Sequence, residues 1–121
     1  MKTNTYITLA RYLPALTWMI LIFTLSSIPK LPSPANPVYD YALKKMAHMF
    51  VYGMLYTLLW YASKNRTKSY AVLIFGICVM YGFSDELHQS FVPGRTPHIM
   101  DLGYDSVGVS IMRVITTWLK K

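Results

Sequence analysis

Four long apolar stretches constrain the fold of this 121-residue chain more than any other feature. A transmembrane helix needs roughly 20 mainly apolar residues to cross the hydrocarbon core of a bilayer. Stretches of about that length occupy residues 9–28, 46–63, 69–88 and 99–119. The sequence therefore predicts a single all-α domain over residues 1–121, folded as an integral membrane bundle of four transmembrane helices.

The composition agrees with a membrane protein. Hydrophobic residues make up 54% of the chain and charged residues only 14%, whereas charged residues make up about 25% of a typical soluble domain. The net charge of +7 would suit a nucleic-acid partner. The basic residues lie between the apolar stretches rather than along one face, however, so we expect no nucleic-acid binding.

The first stretch has a second interpretation as a cleaved signal peptide, because Lys2 and Arg11 give it a basic start. It is long for a signal peptide, and no clear cleavage site follows it. The next residues, 29–37, contain four prolines. Because proline restricts the backbone and lacks an N–H donor, we predict an extended link there rather than a helix.

Basic residues predict the orientation, since they are enriched on the cytoplasmic side of membrane helices. With the N-terminus inside, seven of them flank the cytoplasmic ends of the helices: Lys2, Arg11, Lys64, Arg66, Lys68, Lys120 and Lys121. Four fall on the outer side: Lys30, Lys44, Lys45 and Arg95. We therefore expect both termini to lie in the cytoplasm.

Ionisable residues gather at the predicted outer ends of three helices. Lys45, His48 and Tyr52 are spaced i, i+3, i+7 and form one stripe of the second helix. Asp101 and Asp105 lie one turn apart near the start of the fourth helix. The third helix ends in four further polar residues: Asp85, Glu86, His88 and Gln89.

Charged side chains that face lipid cost several kcal/mol each, so we expect these stripes to face one another. The predicted result is a polar pocket below an opening toward the outer leaflet. Its members are Lys45, His48, Asp85, Glu86, His88, Arg95, Asp101 and Asp105. Small residues at Gly103 and Gly108 are expected to let the fourth helix approach its neighbours closely.

Two of these stretches resemble the VanZ-like family, small membrane proteins named after a teicoplanin-resistance protein. "KMAHMFVYGML" places Lys45, His48 and Tyr52 in the family's Lys-x-x-His-x-x-x-Tyr pattern. "SDELHQSFVPGR" is similar to the family's most distinctive stretch and places eight residues there: Asp85, Glu86, His88, Gln89, Phe91, Pro93, Gly94 and Arg95. The resemblance runs from "LSSIP" at 25–29 to Gly108 and includes Asp101.

The chain departs from that family at two positions. Lys44 stands where the family often has Asp, and Asp105 stands where it often has Asn. The second difference adds a carboxylate to the predicted pocket. The resemblance implies a protein of the bacterial cytoplasmic membrane that acts on the cell envelope and lowers susceptibility to a lipophilic glycopeptide, but it implies no particular reaction.

The first functional hypothesis is an outer-leaflet site for an anionic lipid or a lipid-linked envelope precursor. Lys45 and Arg95 would hold phosphate oxygens, and three residues would add substrate contacts: Gln89, Tyr52 and Asp105. His48 or His88 would act as a general acid or base in transfer or hydrolysis. Three carboxylates would support that chemistry, with Asp85 or Asp101 orienting a histidine: Asp85, Glu86 and Asp101.

Three alternatives remain open from the sequence. The chain has suitable donors for a divalent metal in His48, His88 and the nearby carboxylates, although "DELH" is not a recognised zinc motif and no other cofactor is expected. A non-enzymatic lipid binder or a scaffold of an envelope assembly would need the same pocket. The charges would otherwise be ion pairs that hold the helices together. Homo-oligomerisation is compatible with each of these.

Overall fold

The computed structural model describes the backbone of residues 2–121 and the side chains of residues 4–121, so the predicted cytoplasmic charge of Lys2 lies outside the described side chains. Five helical segments follow one another: α1 (Lys2–Ala10), α2 (Leu13–Ser26), α3 (Pro37–Ala62), α4 (Lys68–Ser90) and α5 (Ile99–Leu119). The described residues contain no β-strand. The prediction of an all-α fold is therefore confirmed.

A proline explains the break between α1 and α2. Pro14 lacks the N–H that would bond to the carbonyl of Ala10, and the regular helix is interrupted at Arg11 and Tyr12, just before it. The stretch Asn4–Ser26 nevertheless continues as one 23-residue helical run. The predicted span 9–28 thus corresponds to a longer, broken helix.

The second helix starts well before the predicted span 46–63. Pro37 occupies its first turn, where its missing N–H costs nothing, and the Asn36 side chain accepts bonds from the backbone N–H groups of Val38 at 2.9 Å and Tyr39 at 3.4 Å. The predicted extended link consequently ends at Asn36 rather than at residue 37. Apolar content alone missed this start because residues 37–45 carry three charged side chains.

Glycines bring α3 and α5 into backbone contact. A Cβ added at Gly108 would overlap the backbone carbonyl of Met49, and one added at Gly53 would lie 3.2 Å from the carbonyl oxygen of Gly108. The contact runs in register along both helices, since Gly53 is also opposite Met112. The two helices are therefore parallel and begin at the same end of the bundle.

α4 runs antiparallel to α3 and α5. Its C-terminal part meets the middle of α3, where the Tyr52 hydroxyl donates to Asp85, and its first turn meets the far end of α3, where the Tyr70 hydroxyl donates to the carbonyl of Leu59. α2 lies beside α3 and α4, because the Trp18 indole donates to the carbonyl of Val51 at 2.8 Å and the Tyr81 hydroxyl donates to the carbonyl of Met19 at 2.6 Å. The C-terminal ends of α2 and α4 therefore meet the N-terminal ends of α3 and α5.

The bundle is apolar outside and carries carboxylates inside. Ile20, Phe50 and Val114 are more than 60% exposed, whereas Asp101 and Asp105 are 7% and 1% exposed. A water-soluble domain shows the opposite distribution. An apolar exterior around buried charges is the arrangement that a surrounding lipid phase favours.

Two helical stretches, Asn4–Ser26 and Lys68–Ser90, are long and apolar enough to cross a membrane. These two stretches support membrane-helix character for two of the four predicted spans. The helices α3 and α5 hold most of the charged residues of the buried site, which lowers their hydropathy. Placing these two helices in a membrane therefore requires their polar groups to be shielded from lipid.

Candidate functional site

One polar site forms where α3 and α5 begin and α4 ends. Each of the three helices directs two or more polar side chains toward its neighbours at this end of the bundle. We call this set of residues the carboxylate cluster: Lys45, His48, Tyr52, Asp85, Glu86, Gln89, Asp101 and Asp105. Six of the eight residues of the predicted pocket belong to this set: Lys45, His48, Asp85, Glu86, Asp101 and Asp105.

Lys45 is held in place by a carboxylate and two aromatic rings. Its ammonium group pairs with Asp101 Oδ1 and lies 5.0 Å and 5.5 Å from the ring centroids of Tyr41 and Tyr104. Both rings are within the range of a cation–π interaction, and their hydroxyls are 3.1 Å apart. The Lys45 side chain is 13% exposed, so it forms part of the outer edge of the cluster.

His48 lies between two aspartates of α5. Its Nδ1 is 2.8 Å from Asp105 Oδ1, and its Nε2 is 3.6 Å from Asp101 Oδ2. With Nδ1–H donated to Asp105, Nε2 carries the lone pair. A histidine oriented in this way by a carboxylate can transfer protons or ligate a metal. The His48 side chain is 21% exposed, whereas those of Asp101 and Asp105 are 9% and 1% exposed. Of these three residues, His48 is therefore the one that a ligand can reach most easily.

Asp85 forms a separate buried network. Its Oδ2 accepts bonds from the Tyr52 hydroxyl at 3.0 Å and from Gln89 Nε2 at 3.2 Å. Gln89 Nε2 also lies 3.4 Å from the Ser26 hydroxyl, which connects the network to α2. Asp85 and Gln89 are 7% and 6% exposed. The side chains of Asp85 and Gln89 are therefore held by bonds to α2, α3 and each other.

Three buried carboxylate oxygens in the cluster have no hydrogen-bond partner within the described part of the chain. They are both oxygens of Glu86 and Oδ2 of Asp105. One ligand atom each from His48, Glu86 and Asp105 lies within 4.8 Å of the other two. Buried polar groups are normally paired, so unpartnered oxygens facing a histidine mark the place where a further group is expected.

Gly82 leaves room for this arrangement. A Cβ at that position of α4 would lie 3.1 Å from Asp105 Oδ2 and 3.4 Å from Tyr52 Cε1. Contacts shorter than 3.4 Å are tighter than most Cβ contacts. A side chain at this position would therefore press on the unpartnered Asp105 oxygen, and glycine keeps α4 close to it.

His88 and Arg95 make their described contacts with the end of α2. His88 Nε2 is 2.9 Å from the Ser27 hydroxyl, and its ring stacks on Phe23 with centroids 4.3 Å apart. The Arg95 guanidinium donates to the carbonyls of Leu25 and Ile28, both at 2.7 Å. The described side-chain contacts of these two predicted site residues are thus with the end of α2 and not with members of the carboxylate cluster.

Backbone geometry explains where Arg95 goes. Gly94 has φ of +86°, a left-handed conformation that glycine adopts without strain, and it packs against Pro29. The turn carries the Arg95 side chain to the C-terminal end of α2, whose last carbonyls have no partner within the helix. Arginine is a common donor to such carbonyls. Arg95 therefore bonds to α2 while Lys45 pairs with Asp101, which differs from the shared phosphate contact predicted from the sequence.

A family model describes nearly the whole chain. The model of the VanZ/LLP1 family matches residues 8–120. The chain belongs to the VanZ/LLP1 family. No curated protein and no solved structure matched significantly. The matched range includes every residue of the carboxylate cluster and of the α2 contacts, so the VanZ-like resemblance seen in the two motifs is confirmed.

Within this VanZ-family chain, sequence reasoning overlooked four polar contributors. Ser26 and Ser27 bond to Gln89 and His88, respectively. The rings of Tyr41 and Tyr104 flank the Lys45 ammonium group. The serines belong to the "LSSIP" stretch that marks the start of the resemblance. Tyr41 precedes Lys45 by four residues and so lies on the same helix face. Helical spacing could therefore have predicted that Tyr41 lies beside Lys45.

The cluster is distinct from two apolar grooves on the described part of the bundle. One groove, of about 630 Å³, lies between α2 and α3 and is lined by Trp18 and Met54. The other, of about 620 Å³, lies between α2 and α4 and is lined by Ile77 and Met80. Neither includes a member of the cluster. In the cluster, Asp101 and Asp105 are buried, whereas the side chains of Lys45 and His48 are 13% and 21% exposed.

Proposed function

We propose that this protein binds the phosphate-bearing headgroup of a membrane lipid or lipid-linked envelope precursor at the edge of the carboxylate cluster. The observation that carries the proposal is Lys45, the one ammonium group among the cluster side chains that the structure describes. It lies at the partly exposed edge, beside His48, at the end of apolar helices. A headgroup there would keep its acyl chain alongside the exposed apolar surfaces.

Lys45 retains donors for such a ligand. An ammonium group has three N–H donors, and within the described contacts Asp101 accepts one of them. The tyrosine rings orient the ammonium through their faces and accept no conventional hydrogen bond from it. The remaining donors can therefore bond to phosphate oxygens while the ion pair with Asp101 stays in place.

We also propose that the helical stretch Asn4–Ser26 and the helices α3, α4 and α5 each span a bacterial cytoplasmic membrane, with both termini in the cytoplasm and the cluster toward the outer leaflet. Support comes from the turning of polar groups on α3 and α5 toward one another, which removes the main cost of placing these helices in lipid. The opposite end of the bundle carries most of the basic residues, including Lys64, Arg66 and Lys120. That distribution fits a cytoplasmic end.

Adjacent lysines provide a matched test of headgroup binding. The protein in detergent micelles would be titrated with short-chain phosphatidic acid and with phosphatidylcholine of the same acyl length, and binding measured by calorimetry. Because a hydrogen bond to a charged group is worth about 1.5–3 kcal/mol, Lys45→Gln should weaken phosphatidic acid binding by about tenfold or more. Lys44→Gln is the control, since Lys44 is exposed and pairs with Asp40 outside the cluster.

Equal loss in both lysine variants would show that general surface charge, not the cluster, attracts the lipid. Absence of saturable binding by the wild-type protein would reject the headgroup site and favour a scaffold of an envelope assembly.

In cells, we propose that headgroup binding lowers susceptibility to a lipophilic glycopeptide such as teicoplanin. That protection should then be lost with Lys45→Gln and kept with Lys44→Gln at equal membrane levels of the two variants.

A further inference from the structure

We propose that His48, Glu86 and Asp105 form a binding site for a divalent metal cation. The three side chains come from α3, α4 and α5, so the site joins all three helices of the cluster. One ligand atom from each residue lies within 4.8 Å of the other two. A single ion that contacts all three at the distances of about 2.0–2.2 Å typical of nitrogen and carboxylate ligands would draw them slightly closer together, because two ligands of one ion are then at most about 4.4 Å apart.

The state of the carboxylate oxygens is an independent observation that points to the same place. Asp105 is 1% exposed, yet its Oδ2 has no partner in the described structure, and neither oxygen of Glu86 has one. A buried carboxylate oxygen left without a partner costs more than a neutral group. A cation between these oxygens and His48 would give each of them a ligand bond.

Charge within the cluster argues in the same direction. The cluster holds four carboxylates: Asp85, Glu86, Asp101 and Asp105. The described contacts place one fixed cation among them, Lys45. When His48 is neutral, the cluster therefore has an excess of negative charge. Like charges at such distances in a poorly solvated site disfavour one another. A divalent ion would compensate two of these charges.

The donor types select the kind of cation. An imidazole nitrogen suits Zn²⁺ or Fe²⁺, and carboxylate oxygens suit Mn²⁺, Mg²⁺ and Ca²⁺. One nitrogen with two carboxylates therefore favours a first-row ion such as Mn²⁺ or Zn²⁺. Asp105 and His48 can hold the same ion only through Nδ1, the ring nitrogen that lies 2.8 Å from Asp105 Oδ1. Nε2 then faces Asp101 Oδ2 at 3.6 Å, the side on which histidine ligands usually have a carboxylate partner.

The cation would also explain how an acidic site accepts a phosphate, a point that rests on the proposed function. Lys45 is already paired with Asp101, and Arg95 is bonded to the end of α2. A metal beside the partly exposed His48 would add positive charge at the edge where the headgroup is placed. Metal ions bound by one or two carboxylates commonly complete their coordination with substrate phosphate.

Mn²⁺ binding to the full chain tests the site directly. The protein would be stripped with EDTA in detergent micelles, exchanged into metal-free buffer and titrated with MnCl₂, with free Mn²⁺ followed by its paramagnetic resonance signal. We expect one Mn²⁺ per chain, displaced by Zn²⁺. Changing only an outer-shell partner of a ligand typically weakens metal affinity about 10–100-fold, so His48→Gln, Glu86→Gln and Asp105→Asn, which each change a direct ligand, should weaken it by at least about tenfold.

The chain offers matched controls for each change. His88→Gln removes a histidine that contacts Ser27 and Phe23 instead, and Asp40→Asn removes a carboxylate that pairs with Lys44 on the surface. Both controls should keep wild-type affinity within twofold. All the substitutions are close in size to the residues they replace, so we expect the variants to fold. The helical content and monodispersity of each variant would be measured to verify this.

Three outcomes would overturn the metal site: no saturable Mn²⁺ binding by the wild-type protein, equal loss in the ligand and control variants, or unchanged affinity in Asp105→Asn. The first of these needs no variant to fold. The result is separable from that of the headgroup test. Specific Mn²⁺ binding without phosphatidic acid binding supports the metal site and rejects the proposed function, and phosphatidic acid binding without Mn²⁺ binding does the reverse.

Discussion

Substitution of Gly108 by alanine should separate α3 from α5 and disturb the site that they form. The new Cβ would lie 2.7 Å from the carbonyl carbon of Met49, whereas ordinary contact begins at 3.4 Å. The obstacle is backbone and not a side chain that can rotate away. The helices would therefore have to move apart by at least about 0.7 Å near this point, a displacement that follows from these two distances.

That displacement is large on the scale of the neighbouring hydrogen bond. His48 Nδ1 and Asp105 Oδ1 are 2.8 Å apart, one turn from the glycine contact, so the same movement would stretch them to about 3.5 Å, beyond the usual range for such a bond. Overpacking a core typically costs about 1–3 kcal/mol, and weakening a hydrogen bond to a charged group adds to that cost. We expect a total loss of about 2–4 kcal/mol.

Gly103→Ala is the matched control on the same helix. A Cβ at Gly103 meets nothing within 4 Å, and alanine favours an α-helix over glycine by about 1 kcal/mol. Thermal unfolding followed by circular dichroism in one detergent would compare the two variants. The midpoint should fall for Gly108→Ala and stay level or rise for Gly103→Ala. The proposed helix contact would be refuted by a Gly108→Ala midpoint equal to that of the control.

Two further predictions follow from the placement of the basic residues. Arg95→Gln should remove the bonds to the end of α2 and cost about 1 kcal/mol of stability, while leaving Mn²⁺ affinity unchanged; a loss of Mn²⁺ binding at unchanged stability would instead place Arg95 in the site. With Cys78 replaced by alanine, an impermeant maleimide added to intact cells should label Lys30→Cys but not Lys64→Cys. The reverse labelling pattern would contradict the proposed orientation.

Much of the cluster could be predicted from spacing along the chain. Helical periodicity places Lys45, His48 and Tyr52 on one face of α3 and Asp101 with Asp105 on one face of α5. Alternating helix directions then bring these faces to the same end of the bundle. The high cost of exposing charges to lipid supplied the reason for them to face inward. These arguments use only local geometry and the solvent, which is why the sequence sufficed.

The partners of His88 and Arg95 could not be predicted in the same way. Both follow Asp85 closely in sequence and belong to the same distinctive stretch, yet their described contacts are with α2. Spacing defines the face of a helix, but it does not define how that helix is rotated against several neighbours at once. The rotation of α4 and the turn at Gly94 decide which side chains meet the cluster.

The sequence by itself determined that the chain is helical, that its polar residues lie at one end and that it resembles a known family. These properties depend on composition, periodicity and motif spacing. Only the tertiary structure distinguished Gly108 from Gly103 and His48 from His88. The physical reason is that close approach and ligand geometry depend on distances between atoms of different helices, and those distances are fixed only when all the helices pack together.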